Sequence, residues 1–215
     1  EKKKDPGKMK QMGTGRSYTI KELASYSFLL EHFYIVDETT SMTKQDLNGT
    51  KLVTMDLSAK LGKEEPLVLI YHTHGSETYK KVNGKEGSVI EVGTALTKEL
   101  ENVYGIKTVH DKSVYDMVDG QLDRNAAYNF AGDSVEAALR KNPSVKVVID
   151  LHRDSVENNI HLRTKINGKS AAQIMFFNGV SRLASKGDIG YLYNPNKEAN
   201  LAFSLQMQLL AEEEY

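Results

Sequence analysis

The chain contains two apolar runs of strand length, and each ends in a histidine motif. The first, 66–71, reads Pro-Leu-Val-Leu-Ile-Tyr and leads into His72-Thr73-His74-Gly75-Ser76-Glu77. The second, 145–151, reads Val-Lys-Val-Val-Ile-Asp-Leu and leads into His152-Arg153-Asp154-Ser155. In open α/β sheets, sites form at the carboxyl ends of parallel strands, so two such motifs can converge on one point. Neutral imidazole is the commonest Zn²⁺ ligand, and a carboxylate from a nearby loop would complete a His₂Glu set with an open fourth position. A single histidine at a strand end is more often a hydrogen-bonded structural residue. Two in equivalent contexts, each with polar and acidic neighbours, turn the reading toward a metal-dependent hydrolase.

Composition narrows the ligand chemistry. The chain has no cysteine, which rules out disulfides and thiolate metal sites and leaves its six histidines, with Asp and Glu, as the available ligands. A formal net charge of −1 gives no global field that would select nucleic acid, and no nucleic-acid partner is expected. With 215 residues and 40% hydrophobic content, the chain suits one domain of ordinary size with a small extension. No apolar run approaches the roughly 20 residues of a membrane helix, and no signal-peptide pattern opens the sequence. Residue 1 is Glu rather than Met, so membrane attachment is expected only through a segment absent from this chain.

Read for organisation, 1–17 is a Lys- and Gly-rich flexible basic leader, expected to be a solvated tail. Residues 18–65 form a small N-terminal lead-in region, with a short helix over 20–32 and apolar runs at 33–36 and 51–55. The main domain is expected over 66–215. It starts with a strand at 67–71 and a polar loop to Gly87; Val89, Val92, Leu96 and Leu100 then mark a helix face that ends near Gly105. A strand at 106–109 is followed by a long polar connection. Asp133-Ser134-Val135-Glu136 is a capping-box pattern for a helix to Lys141, stopped by Pro143. The strand at 145–151 is apolar enough to predict burial on both faces. Asn167-Gly168 predicts a type I′ hairpin between 160–166 and 170–177, and Asn194-Pro195-Asn196 precedes a last helix through Leu201, Leu205 and Leu209. The fold class expected is α/β, a mainly parallel twisted sheet flanked by helices on both faces. There is no internal repeat, no GxGxxG or GxxxxGK[ST] loop, and no serine in a Gly-x-Ser-x-Gly elbow. Nucleotide-dependent and Ser–His–Asp chemistry are therefore not expected.

The strings Leu-Ile-Tyr-His-Thr-His-Gly-Ser-Glu (69–77) and Val-Ile-Asp-Leu-His-Arg-Asp-Ser (148–155), with Val92-Gly93 between them, strongly resemble the stage II sporulation protein P family. These are bacterial cell-wall hydrolases related to the zinc-dependent N-acetylmuramoyl-L-alanine amidases. The likeness runs from about Pro66 to the C-terminus and more loosely into the lead-in region. It implies an amidase-like architecture, a Zn²⁺ cofactor, and cleavage of the amide between the lactyl group of the glycan and L-alanine of the stem peptide. It also implies a second, endopeptidase activity on peptide cross-links. The implied partners are peptidoglycan and the stage II sporulation proteins D and M. The implied location is extracytoplasmic, with the parent protein membrane-anchored in the space between mother-cell and forespore membranes.

Carried over residue by residue, the resemblance implies His74 and His152 as the two histidine ligands. The third ligand in the related amidases sits just before the intervening helix, and counting back from Gly105 places Glu86 there; Glu91 lies further along. His74-Gly-Ser-Glu77 has the His-x-x-Glu spacing of zinc carboxypeptidases, so Glu77 is the alternative ligand, or an acceptor that orients a histidine ring. His72 is expected to point away from His74, toward a structural or substrate-facing role, and strand alternation puts Asp150 on the face of His152. Arg153 either pairs with Asp154 or uses its bidentate fork on a stem-peptide carboxylate. His32, His110 and His161 are taken as ordinary surface or satisfied residues. The related amidases carry a catalytic glutamate on a late strand, and this sequence ends at Ala211-Glu-Glu-Glu-Tyr215 without one. The general base is therefore expected beyond Tyr215, and the domain is expected to be C-terminally incomplete. Two competing readings are a carboxypeptidase-like zinc metallopeptidase using His74, Glu77 and His152, and a non-catalytic peptidoglycan-binding module.

Overall fold

The structure, a computed structural model, describes residues 15–60, 62, 64–79, 86–157 and 160–214. Most of the basic leader and residues 80–85 of the polar loop lie outside the described residues. In chain order the elements are α1 (Ile20–Leu23), α2 (Tyr26–His32), α3 (Gly49–Thr54), β1 (Val68–Tyr71), α4 (Val89–Asn102), β2 (Thr108–His110), β3 (Met117–Val118), β4 (Gln121–Leu122), α5 (Arg124–Lys141), β5 (Val147–Asp150), β6 (Arg163–Ile166), β7 (Lys169–Ala172), β8 (Arg182–Leu183), β9 (Gly187–Asp188) and α6 (Lys197–Glu214). They divide into two compact units. One holds the described residues of Ala59–Ile160, the other those of Met9–Ser58 and His161–Tyr215.

The first unit is α/β, built on a parallel three-stranded sheet in the order β2-β1-β5. Apolar Val68, Leu69 and Ile70 are buried in the central strand, as a strand with a neighbour on each side requires. The register pairs Ile70 with His110 on one side and Tyr71 with Asp150 on the other. Strand β5 was expected to be buried on both faces; instead it is an edge strand among the described residues, and Val148 is 43% exposed. An edge strand has only one strand neighbour to cover it.

Helix α4 packs on β1 and β2. Ser88 caps it through a reciprocal capping box with Glu91, and the chain leaves it through Gly105 at φ +69°. Gly93 faces the sheet so closely that a Cβ there would lie 2.6 Å from His110 Nε2 and 2.8 Å from His72 Nε2. Helix α5 starts nine residues before the capping box at Asp133, because Asp123 accepts from the amides of Asn125 (3.1 Å) and Ala126 (3.0 Å) and caps the chain there. The polar connection before it folds as the β3–β4 hairpin, with Asp119 and Gly120 both at positive φ.

The second unit joins the two ends of the described chain. The lead-in region does not stand apart: Leu23, Leu29, Leu47 and Leu52 share one core with Leu201, Ala202 and Leu205 of α6. The run 51–55 covers the end of α3 and its C-cap Met55, and the Leu52 and Met55 carbonyls accept from Gln206 Nε2 at 2.8 and 3.0 Å. The expected helix over 20–32 breaks in two, since Thr19 and Ser25 each cap a separate start. Asn167 and Gly168 take φ of 51° and 75° in the β6–β7 turn, as the Asn-Gly signal predicts. Asp46 gathers Lys197 Nζ (2.7 Å), Arg182 Nη1 (2.5 Å) and the Thr43 amide and hydroxyl (2.9 and 2.7 Å). Burial opposes its charge, but these donors outweigh burial and hold its carboxyl well below the usual carboxylate range.

Gly93→Ala is expected to destabilise the protein by about 1–3 kcal/mol through overpacking on the two rings. Gly132→Ala, where a Cβ meets nothing within 4 Å, is expected to stabilise helix α5 by about 1 kcal/mol; a urea titration of both variants checks the contrast. Asp46→Asn leaves Lys197 without its carboxylate and Arg182 with only that of exposed Asp188, and is expected to cost about 3 kcal/mol at neutral pH. Because the Asp46 pKa is lowered, that loss should hold above pH 3.8 and shrink as the pH falls below it.

Candidate metal centre

The register between β1 and β5 delivers the site. Beyond Tyr71 and Asp150 the two chains leave the sheet side by side, and the Leu151 amide donates to the Tyr71 carbonyl at 2.9 Å. Thr73 then ties the two loops together. Its amide donates to Asp150 Oδ1 at 2.9 Å and its hydroxyl to Asp150 Oδ2 at 2.6 Å. This brings the rings of His74 and His152 together, with centroids 5.1 Å apart and planes at 75°. Tyr128 of α5 packs edge-on against His74 at 5.3 Å.

Each of the two rings has an acid at one nitrogen. His152 Nε2 lies 2.8 Å from Asp150 Oδ2, which raises the His152 pKa against the opposing effect of burial. Burial pushes the Asp150 carboxyl up, but bonds from His152 and Thr73 prevail and hold it below its usual range. His74 is buried, and its Nδ1 stands 3.9 Å from Asp116 Oδ2, too far for a hydrogen bond; that nitrogen is buried with no partner. Asp116 is itself fully buried and accepts from the Ser76 amide (3.1 Å) and hydroxyl (2.5 Å).

The carboxylates fall in different surroundings. Glu77 is 5% exposed; Oε1 accepts from Arg124 Nη1 at 3.2 Å and Oε2 from the Arg153 amide at 2.9 Å. Its charge adds to the rise in the His152 pKa. Glu86 is exposed and accepts from the Thr78 hydroxyl at 3.0 Å, next to Glu77 in sequence. Glu91 is occupied with the Ser88 amide at 2.9 Å. Asp154 accepts from the Ser155 amide at 2.8 Å, so it does not pair with Arg153, whose Nη1 instead reaches the Asp154 carbonyl at 3.3 Å. Among the described residues, no three His, Asp or Glu side chains already stand close enough to enclose an ion.

His72 turns inward. Its Nδ1 donates to the Leu151 carbonyl at 2.9 Å, and its Nε2 meets His110 Nε2 at 2.9 Å beneath Gly93. One of the two nitrogens must donate and the other accept, so both rings cannot be protonated at once. Burial lowers the pKa of both rings. His72 is thus a structural residue.

Asp116, Tyr128, Arg124 and Thr73 were not singled out from sequence. Thr73 had a signal, because it lies between the two histidines where the strand ends meet. The other three lie on the β3–β4 hairpin and α5, and no local pattern brings those segments to the sheet.

A parallel α/β sheet with paired histidines and carboxylates at its carboxyl end defines a protein with a candidate metal centre. The family model described as Stage II sporulation protein P (SpoIIP) matches residues 6–215, and the chain belongs to that family, a family of sporulation proteins. It is 25% identical over 163 residues to the Stage II sporulation protein P of Bacillus subtilis (strain 168), covering 71% of this chain and 37% of that protein. The chain thus spans well under half the length of this relative. No solved structure matches it. Among the described residues, no helix is long and apolar enough to cross a membrane.

In the metal-free protein, Asp150→Asn is expected to move the His152 titration downward, toward or below 6.5. The wild-type ring should titrate above that value, and its contribution to stability should fade as the pH rises through its folded pKa. An NMR titration of the ring Cε1 protons reads both.

Proposed function

We propose that this chain carries the zinc centre of a peptidoglycan hydrolase of sporulation, an amidase-like domain acting on the N-acetylmuramoyl-L-alanine bond with endopeptidase activity on cross-links. The observation behind the reading is the meeting of His74 and His152 at the ends of adjacent parallel strands. The donor chemistry fits zinc. The buried, unpartnered Nδ1 of His74 and the His152 ring held by Asp150 resemble the carboxylate–histidine arrangement that orients metal-ligating imidazoles. His74, His152 and Glu86 would hold the ion. Zinc, when bound, would supply polarisation of the scissile carbonyl and a water acidified toward a pKa of about 7.

The chain's own residues prepare the place. Asp150, fixed by Thr73, sets the ring of His152 and leaves its Nδ1 for the ligand role. Tyr128, 60% exposed against the face of His74, walls one side while remaining open to substrate. Glu77 already receives donors on both oxygens and suits an orienting role, whereas Glu86 has one hydroxyl bond at an exposed position and is free to turn. The burial of Glu77 beside His152 favours the second reading, a carboxypeptidase-like set of His74, Glu77 and His152. In either reading, the partners proposed are peptidoglycan and the stage II sporulation proteins D and M, in the space between mother-cell and forespore membranes.

Elemental analysis of the purified chain tests this. One equivalent of zinc is expected in the wild type, and its loss in His74→Ala and His152→Ala. Loss in Glu86→Gln but not Glu77→Gln would assign the third ligand to Glu86, and the reverse would assign it to Glu77. A folded wild type without zinc at neutral pH would overturn the hydrolase reading.

A further inference from the structure

Arg153 stands directly after His152, yet its guanidinium is only partly used by the protein. Its Nη1 makes a bond of 3.3 Å to the Asp154 carbonyl, while the Asp154 carboxylate is turned to the Ser155 amide. Its Nε is buried and has no partner. A charged donor left in that state costs about 1–3 kcal/mol or more, so native proteins rarely leave one without a use. Nearby Glu77 does not satisfy it. That carboxylate takes the Arg153 backbone amide on one oxygen and the Arg124 guanidinium on the other. The Arg153 amide bound to Glu77, and its place next to His152 in the chain, keep the residue in the loops that carry the two histidines.

The covalent geometry says what fits. With Nη1 occupied, the remaining edge of the guanidinium is Nε–H beside the N–H of Nη2, two parallel donors spaced for the two oxygens of one carboxylate. We propose that Arg153 recognises a carboxylate on the peptide part of the substrate, taken side-on through Nε and Nη2. The proposal rests on the reading of the site as one that acts on a peptide-bearing substrate. A lysine in its place would keep the charge but not the paired donors. The bound carboxylate would satisfy the buried Nε–H and fix the peptide in one orientation against the rings of His74 and His152.

The test uses acetyl-L-alanyl-D-glutamate and its fully amidated twin, titrated by calorimetry into the whole chain, both zinc-free and zinc-loaded. The expected result is at least a tenfold preference for the acid in both forms. That preference should disappear in Arg153→Gln and shrink severalfold in Arg153→Lys, with zinc content and melting temperature unchanged in both variants. Equal binding of the two peptides, no binding of the acid, or a preference that survives in Arg153→Gln would overturn the proposal. A wild type that prefers the acid but holds no zinc would overturn the metal reading alone.

Discussion

The parallel pairing of β1 with β5 is the constraint on which the candidate site depends. It sets Tyr71 opposite Asp150, and everything that follows is counted from there. With that register, the Leu151 amide reaches Tyr71, Thr73 reaches both oxygens of Asp150, and His72 reaches the Leu151 carbonyl. A slip of one residue would turn every side chain to the other face of the sheet and separate His74 from His152. The register is fixed from both flanks of the central strand. Val68, Leu69 and Ile70 pair with β2 on one side and with β5 on the other.

Beneath that sheet edge, Gly93 and the His72–His110 pair form a second fixed point. The rings share a 2.9 Å bond only while at least one of them is neutral, and α4 can lie over them only because position 93 has no side chain. The helix that closes the sheet and the loop that carries His74 are therefore joined through one buried contact. His72 holds the strand end in place from below while His74, two residues on, faces its partner ring. The chain leaves the extended strand and turns over 73–76, so two residues that alternation would put on one face point different ways.

The legible parts of the molecule were those set by local chemistry. An apolar run followed by histidine marks a strand end, Asn-Gly marks a tight turn, and the spacing of Val89, Val92, Leu96 and Leu100 marks a helix face. What could not be read depends on which distant segments meet. The core shared by Leu52 and Leu201 joins positions far apart in the chain, and no periodicity at either end announces the other. The same holds for Asp116, buried under Ser76, and for Tyr128 beside His74. The start of α5 was missed for another reason. Asp133 and Glu136 do have the spacing of a cap, but a residue inside a helix needs none, and Asp123 already serves the free amides. The apolar content of β5 likewise indicated strand but not position in the sheet, since an edge strand and a central strand can share a composition.

The acidic residues around the two rings differ in how much freedom their contacts leave them, and that difference bears on their roles. Asp150, Asp116 and Glu77 each accept from at least two donors, so turning any of them toward a new partner would break bonds in partly or fully buried surroundings. Such groups are suited to orienting imidazoles and holding loops. Glu86 makes one bond to a threonine hydroxyl at an exposed position, which water can replace at little cost. A ligand that must swing in when an ion arrives is best drawn from a carboxylate so loosely held. Its attachment at Thr78, beside Glu77, keeps that carboxylate within the loop that carries the site. Under the proposed zinc reading, the arrangement would separate two tasks that one residue would perform poorly together: rigid orientation of the rings, and completion of the coordination set.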